Sequence, residues 1–263
     1  PLAEVICKGG WPALAMRDSR APEYLDAYFD ALFEVSVPRK GLSGPESRRV
    51  ALSLARNLGS AVRLSTVAED AQLAASNPKM GAERASAHIA ALESLYVVEA
   101  LAGWDAPIRS KSRLRTKPKR YFADPSLAAS LLQVTPDRLL GDGQLFGVLF
   151  ESLVIHDLGV YARAIPGASS APMRYYRDSD GLEVDAVIEL RDGRWAPIEI
   201  KLGDNKVPEA ISSLKRLRGK VSSNPAARNP KPAFSAVVVG AGEYARYDSE
   251  NDVYVIPLTS LGA

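Results

Sequence analysis

Residues 182–202 constrain this chain more than any other stretch. In LEVDAVIEL the even positions Leu182, Val184, Ala186, Ile188 and Leu190 are apolar, while Glu183, Asp185 and Glu189 fall on odd ones. A period of two is that of a β-strand with one face in a core. The next run, WAPIEIKL, repeats the parity: Ala196, Ile198, Ile200 and Leu202 are apolar, and Trp195, Pro197, Glu199 and Lys201 take the other face. A three-residue loop, Arg191-Asp192-Gly193, with Gly193 left-handed as such loops require, pairs Leu190 with Arg194. Asp185 then lies opposite Glu199, and Glu183 opposite Lys201. A two-residue loop would put Asp185 and Glu199 on opposite faces; the glycine at the third position favours the first pairing. Pro197 has no N–H to give a ladder and predicts an edge location or a bulge for its strand.

Two carboxylates side by side on a core hairpin repel each other and are costly unless a cation lies between them. Oxygen donors of this kind suit Mg²⁺ or Mn²⁺. Lys201, two residues after Glu199, shares its face and is placed to hold a phosphate oxygen or an attacking water. Glu151 is a further candidate. Its helix neighbours at three and four residues, Gly147, Val148, Val154 and Ile155, form an apolar stripe, so its carboxylate needs a partner inside the fold.

The surrounding pattern predicts a helix over 144–164, apolar over most of its circumference and therefore buried on more than one side. Strands are expected near 173–177, 182–190, 195–202, 234–239 and 253–256, with a helix over 208–219. The order is helix, three strands, helix, strands, which predicts an α/β or α+β unit with a mixed sheet over 143–263. Lys206, Lys215, Arg216, Arg218 and Lys220 on the later helix are candidates for backbone phosphate contacts. Acidic residues around the hairpin, Asp178, Asp180, Glu183, Glu189 and Asp192, work against a polyanion unless a metal compensates them.

Before residue 143 the texture is helical. Residues 23–35 are amphipathic and end at Pro38, within a helical N-terminal segment 1–45. Helices are expected near 46–58, 65–73 and 82–96, then strands at 97–101 and 120–123. Three helices followed by a two-stranded ribbon make a winged helix-turn-helix pattern over 46–142. Between the strands, 109–120 read RSKSRLRTKPKR: Arg109, Lys111, Arg113, Arg115, Lys117, Lys119 and Arg120 are seven basic residues in twelve, with no acid among them. As an exposed wing, this loop would bind a nucleic-acid backbone by releasing counterions; as a solvated loop, it would do nothing specific. The third helix offers Glu83, Arg84, His88 and Glu93, a poor set for reading bases.

Composition narrows the classes. With 46% hydrophobic and 24% charged residues in 263, the chain is globular and long enough for two domains. The lone Cys7 excludes an internal disulfide and a Cys-based zinc cluster, and fits a reducing cytoplasm. Two histidines, His88 and His156, leave Ser/His/Asp and HExxH chemistry little to work with. No Walker pattern occurs, so ATP hydrolysis by these residues alone is not expected. Neither a signal peptide nor a membrane span is predicted. The start at Pro-Leu-Ala-Glu, without methionine, suggests a piece of a longer protein.

The run GLEVDAVIEL…WAPIEIKLG resembles the PD-(D/E)xK nuclease-like superfamily. Matched residue by residue, Glu151, Asp185, Glu199 and Lys201 take its four site roles, with Glu151, Asp185 and Glu199 as metal ligands. Val184 stands where that pattern has proline. The resemblance implies an α/β/α domain with a mixed sheet and one or two divalent ions. More widely, KGGWPAL, EYLDAYFDALFE, LARNLGSAVRLSTVAED, YFADPSL and LFGVLFESLVIHDL are similar to the C-terminal domain of unknown function that follows an AAA-type P-loop ATPase module in many bacterial proteins. That implies ATP only on a module not present here, and that module as a partner. Two functions fit. One is a Mg²⁺- or Mn²⁺-dependent DNA phosphodiesterase with a winged-helix region. The other is an inactive nuclease-like scaffold that binds DNA or a protein and regulates the ATPase. Oligomers are compatible with both.

Overall fold

The computed structural model describes residues 1–16, 21–73, 80–107, 109–111, 113 and 116–261. They form two compact units, Pro1–Ala100 with Lys119–Leu153, and Leu101–Pro118 with Val154–Ala263. The expected boundary at 142/143 therefore falls inside the first unit, and 101–118, expected to stay with the winged region, belongs to the second.

The chain begins with helices α1 (Leu2–Lys8), α2 (Pro12–Met16) and α3 (Ala21–Asp30). The last runs into a π-helical turn, Ala31–Ser36, and Pro38 opens a short 3-10 turn that stops at Gly41, at φ 77°. Next come α4 (Gly44–Arg56), α5 (Leu64–Leu73), α6 (Ala82–Ser94) and β1 (Val98–Leu101). Ser43 caps α4 by accepting from the Glu46 N–H. Val50, Ala51 and Leu54 of α4, Val67 and Ala68 of α5, and Ala85, Ile89 and Leu92 of α6 are buried, at the spacing that puts them on single helix faces. Among the polar residues of α6, Arg84 and His88 turn onto Glu46 of α4, and Ser47 Oγ meets His88 Nδ1 at 2.7 Å. Burial holds the His88 imidazole below its usual pKa against the opposing pull of Glu46, so it serves as a packed histidine.

β2 (Gly103–Trp104) lies in the second unit. β3 (Lys119–Phe122) returns to the first and pairs with β1 as a two-stranded sheet, before α7 (Pro125–Leu131), α8 (Pro136–Leu140) and α9 (Gly143–Ala164). Three helices and a two-stranded sheet are thus present in the expected order. Two sequence motifs meet here. Asp124 caps α7 through Ser126 N–H, and its other oxygen accepts from Gly10 N–H, while Trp11 Nε1 donates to Ser126 Oγ. Gly9, at φ 75°, approaches so closely that a Cβ would lie 2.5 Å from Asp124 and Ser126. That contact requires glycine.

The second unit is α/β. β4 (Ala168–Arg177), β5 (Glu183–Leu190), β6 (Trp195–Lys201), helix α10 (Val207–Ser222), β7 (Ala236–Val239), β8 (Arg246–Asp248) and β9 (Val253–Pro257) build a mixed sheet of order β2-β4-β5-β6-β7-β9-β8. Antiparallel pairing joins β4, β5 and β6; β6, β7 and β9 run parallel, with α10 as the crossover between β6 and β7. Val207, Ala210, Ile211, Leu214, Leu217 and Val221 of α10 cover Val187, Trp195, Val237, Val239, Val253 and Val255.

β6 is therefore an inner strand, and the edge location expected from Pro197 is corrected. Leu190 N–H bonds to Arg194 O, so by the antiparallel alternation Pro197, opposite Val187, occupies a non-hydrogen-bonded pair. On its other side the paired residues begin at Ile198 with Ala236, one position later. The missing N–H falls where no ladder bond is needed.

α9 is long and apolar enough to cross a membrane by length and composition alone. Its Leu149, Phe150, Val154, Ile155, Leu158 and Ala162 are buried in the protein, as a core helix requires.

Candidate functional site

The hairpin loop folds as its glycine dictates. Gly193 takes φ 85° and donates its N–H to Leu190 O, and the register runs from Glu189 opposite Trp195 to Ala186 opposite Ile198. Extended by one pair, it brings Asp185 level with Glu199.

Parity alone does not describe this strand. Against β4, Val187 pairs with Arg174 and Val184 with Tyr176, so two residues, Asp185 and Ala186, stand opposite the single Tyr175. This is a β-bulge, and a bulge re-aims side chains. Its consequence is that Val184 and Val187, of opposite parity, both join the core under α10, and the strand has no wholly acidic face. Asp185 and Glu199 are instead buried, at 8% and 2% exposure.

The bulge also gives Asp185 its partners. Its Oδ2 accepts from the Ile200 backbone N–H at 2.8 Å and from Lys201 Nζ at 3.1 Å. Lys201 Nζ lies 2.5 Å from Glu199 Oε2, so one ammonium bridges both carboxylates. Burial, reinforced by the Asp185 charge and only partly offset by Lys201, pushes the Glu199 carboxyl up to about 9. For Lys201, burial acts to lower the pKa, but Asp185 and Glu199 together lift it above the ordinary lysine value. Two buried carboxyls thus share a single ammonium. The proton on Glu199 occupies a place that another cation can take.

Asp185, Glu199 and Lys201 are thus brought together. Glu151 belongs to the first unit and is engaged there: Tyr121 Oη donates to its Oε1 at 2.6 Å, and Lys119 Nζ lies 3.3 Å away. Gly59, whose N–H bonds to Arg120 O, lets the loop approach this carboxylate. Lys119 and Tyr121 were not anticipated as its partners. Their signal was available, because residues two apart on a strand share a face. Among the described residues no group of three or more His, Cys, Asp and Glu side chains stands close enough to hold a metal ion. The oxygen donors in the cluster that could hold one are those of Asp185 and Glu199.

The basic stretch 109–120 does not form one exposed wing. Lys119, with its side chain 3% exposed, is paired with Glu151, and Arg120 Nε lies 3.3 Å from Glu93. Arg113 makes a two-pronged pair with Glu189, both bonds at 2.7 Å. These three are corrected from free backbone contacts to internal ion pairs, because acids distant in sequence satisfy them. Arg109, Lys111 and Lys117 are exposed, and Arg115 lies outside the described residues. On α10 and just before it, Lys206 pairs with Glu209, Arg218 with Asp252, and Lys220 with Asp178 and Asp180, leaving Lys215 and Arg216 outward.

Fold and site together define a protein of two units: one mainly helical with a small sheet, the other α/β with a buried Asp/Glu/Lys cluster on a mixed sheet. The chain belongs to the family described as Domain of unknown function (DUF8612), whose model matches residues 1–138. A second family model, Domain of unknown function (DUF4143), matches residues 146–261 and so covers the hairpin. Comparison with curated proteins gave no match.

Proposed function

We propose that the second unit carries a Mg²⁺- or Mn²⁺-dependent phosphodiesterase site acting on DNA, built on Asp185, Glu199 and Lys201. The observation that carries this reading is the placement of Glu199, buried to 2% exposure beside Asp185 with Lys201 between them, where burial pushes its carboxyl up to about 9. Mg²⁺ is commonly held by one or two carboxylates with water and substrate phosphate completing its shell, so the pair is a sufficient protein donor set. Such an ion would supply Lewis-acid polarisation of the phosphate and a more acidic water. Lys201 then counters charge developing on the scissile group from a side chain already fixed by two carboxylates. The resemblance of 182–203 to PD-(D/E)xK nucleases supports the same chemistry.

In this reading the helices and small sheet of the first unit act as a winged helix that docks the DNA backbone, with Arg109, Lys111 and Lys117 adding exposed charge. The longer protein would add an AAA-type ATPase module as motor or regulator in the cytoplasm. A second reading is favoured by one observation: Lys201 already bridges both carboxylates, so the cluster holds together without a metal. The unit would then be a nuclease-like scaffold for DNA or a protein partner. Cleavage of plasmid, linear and single-stranded DNA with Mg²⁺ or Mn²⁺ separates the two. The catalytic reading expects metal-dependent products from the wild type and none from Lys201→Ala; equal rates for both would assign the cleavage elsewhere and leave the scaffold.

A further inference from the structure

β8 closes one end of the mixed sheet, and no strand among the described residues pairs with its outer side. From 241 to 250 every residue except Asp248 is exposed, so this edge is open. An open edge is a template for another strand, and folded proteins usually blunt it with lysine, proline or a covering segment. Here aromatic rings lead up to it instead. Val253 and Val255 of β9 face α10, so Tyr254 between them faces the other way, and with it Tyr247, its opposite number on β8. Phe234, Tyr254 and Tyr247, all exposed, form a row of rings on that face, with successive centroids 6.5 Å and 4.9 Å apart. Contiguous exposed apolar surface of this kind marks an interaction site.

The backbone shows which way the row can be extended. Tyr254 N–H bonds to Ser235 O, so in the parallel ladder both its N–H and its C=O point to β7. Val253 and Val255 then turn theirs to β8, where they meet Asp248 and Arg246. Tyr247, between these two, is left with its N–H and C=O pointing off the edge. A strand docking here exchanges both bonds with Tyr247.

The side chains specify that strand. Tyr247 has Arg246 before it and Asp248 after it, so in an antiparallel pair centred on Tyr247 a second copy sets its own Asp248 opposite Arg246 and its own Arg246 opposite Asp248. Opposite charges across strands stabilise a pairing, and a two-fold contact needs one patch that complements itself. Within the chain Arg246 meets Asp204 through one guanidinium nitrogen, and Asp248 accepts from Asn251. Both groups have hydrogen-bonding capacity beyond these contacts. Residues directly opposite share a face, so the Tyr247 rings of the two copies meet and the two rows become one of six rings. A nucleic-acid strand could also stack on the rings, but Asp248, Glu250 and Asp252 at the turn disfavour a polyanion.

We infer that β8 is a self-association edge, through which two copies of this chain pair antiparallel about Tyr247 with Arg246 and Asp248 matched crosswise. The inference does not depend on metal chemistry at Asp185 and Glu199, and its test is run in EDTA so that the two readings fail separately.

Because a three-residue strand and a row of rings make a small contact, the full chain is expected to pass from monomer to dimer over about 1–200 μM in sedimentation velocity. Arg246→Asp and Asp248→Arg each set like charges opposite one another twice, and each should raise Kd about tenfold or more. The double reversal Arg246→Asp/Asp248→Arg rebuilds the crossed pairs and should return Kd to within about threefold of wild type. Tyr247→Pro removes an N–H that β8 does not use in its own sheet; it should keep the fold in thermal denaturation and remain monomeric. This variant decides the matter where a charge reversal disturbs the turn. A wild type monomeric throughout, a double reversal that stays folded and monomeric, or a Tyr247→Pro that still dimerises overturns the inference. In the first case, binding of a single-stranded oligonucleotide that is lost in Tyr247→Ala would give the rings to nucleic acid instead.

Discussion

Two glutamates, Glu151 half-buried and Glu199 buried, each beside a lysine, show how differently the same pair of residue types behaves. In the first unit, Glu151 accepts from Tyr121 and pairs with Lys119, one carboxylate meeting one ammonium and a phenol. In the second, Glu199 shares Lys201 with Asp185, and the desolvated carboxyl is pushed up to about 9. In the first arrangement the carboxylate has a cation and a hydrogen-bond donor beside it. In the second, two buried carboxyls have one ammonium between them. Burial makes a charge expensive, and its neighbours decide how that cost is met.

The largest effect expected from this contrast is on stability in the first unit. Lys119→Met leaves the half-buried Glu151 carboxylate without its ammonium and should cost up to about 3–5 kcal/mol in chemical denaturation, the figure for a fully buried pair, with most of it recovered by adding Glu151→Gln. If Lys119→Met is as stable as wild type, the pair does not contribute to the fold.

The corresponding change in the second unit should act chiefly on turnover. Loss of a charge-stabilising donor costs about 10²–10³ in rate, so Lys201→Ala should lose that much cleavage while DNA binding in a gel-shift assay stays nearly unchanged. Asp185→Asn removes one of two anionic metal donors instead, and raising Mn²⁺ should restore part of its activity. Rescue of the lysine variant by Mn²⁺ would blur the assigned roles.

A smaller effect follows from the proton on Glu199. Its folded pKa lies above the ordinary carboxyl value, so between the two the folded state binds more protons than the unfolded one, and stability falls as pH rises. The contribution is fully present below the unfolded value and lost by about 9. From pH 6 to pH 8 this amounts to at most about 2.7 kcal/mol. Thermal denaturation in EDTA should show this slope, and Glu199→Gln should flatten it. Saturating Mg²⁺ should stabilise the wild type more at pH 8 than at pH 6, because the ion and the proton compete for one carboxylate.

The smallest effect concerns the exposed cations. Replacing Arg109, Lys111 and Lys117 with glutamine should weaken DNA binding for all sequences alike and reduce the slope of log K against log salt by up to about 2.7, if each contacts a phosphate. The same treatment of Arg113 should act on folding, through its pair with Glu189, and a gel shift unchanged per folded molecule would show it.

The sequence by itself determined the elements whose information is local. The period of two on both sides of Arg191-Asp192-Gly193 was enough for the hairpin, its register and the meeting of Asp185 with Glu199, because a glycine at φ 85° and alternating burial leave few other pairings. Helical spacing likewise placed α3, α4, α6, α9 and α10, with ends shifted by a few residues. What local pattern could not carry was partnership between distant residues. β2 is two residues long and exists because Gly103 and Trp104 pair with Tyr175 and Tyr176, some seventy positions later. The run 109–120 has no acid within it, so nothing nearby shows that Arg113, Lys119 and Arg120 belong to Glu189, Glu151 and Glu93. The bulge at Asp185 and Ala186 depends on β4, since an extra residue is defined only against the strand opposite it. Even the raised pKa of Glu199 is tertiary in origin. The sequence supplies two carboxylates and a lysine on neighbouring strands, but only packing removes the water that would have kept all three charged.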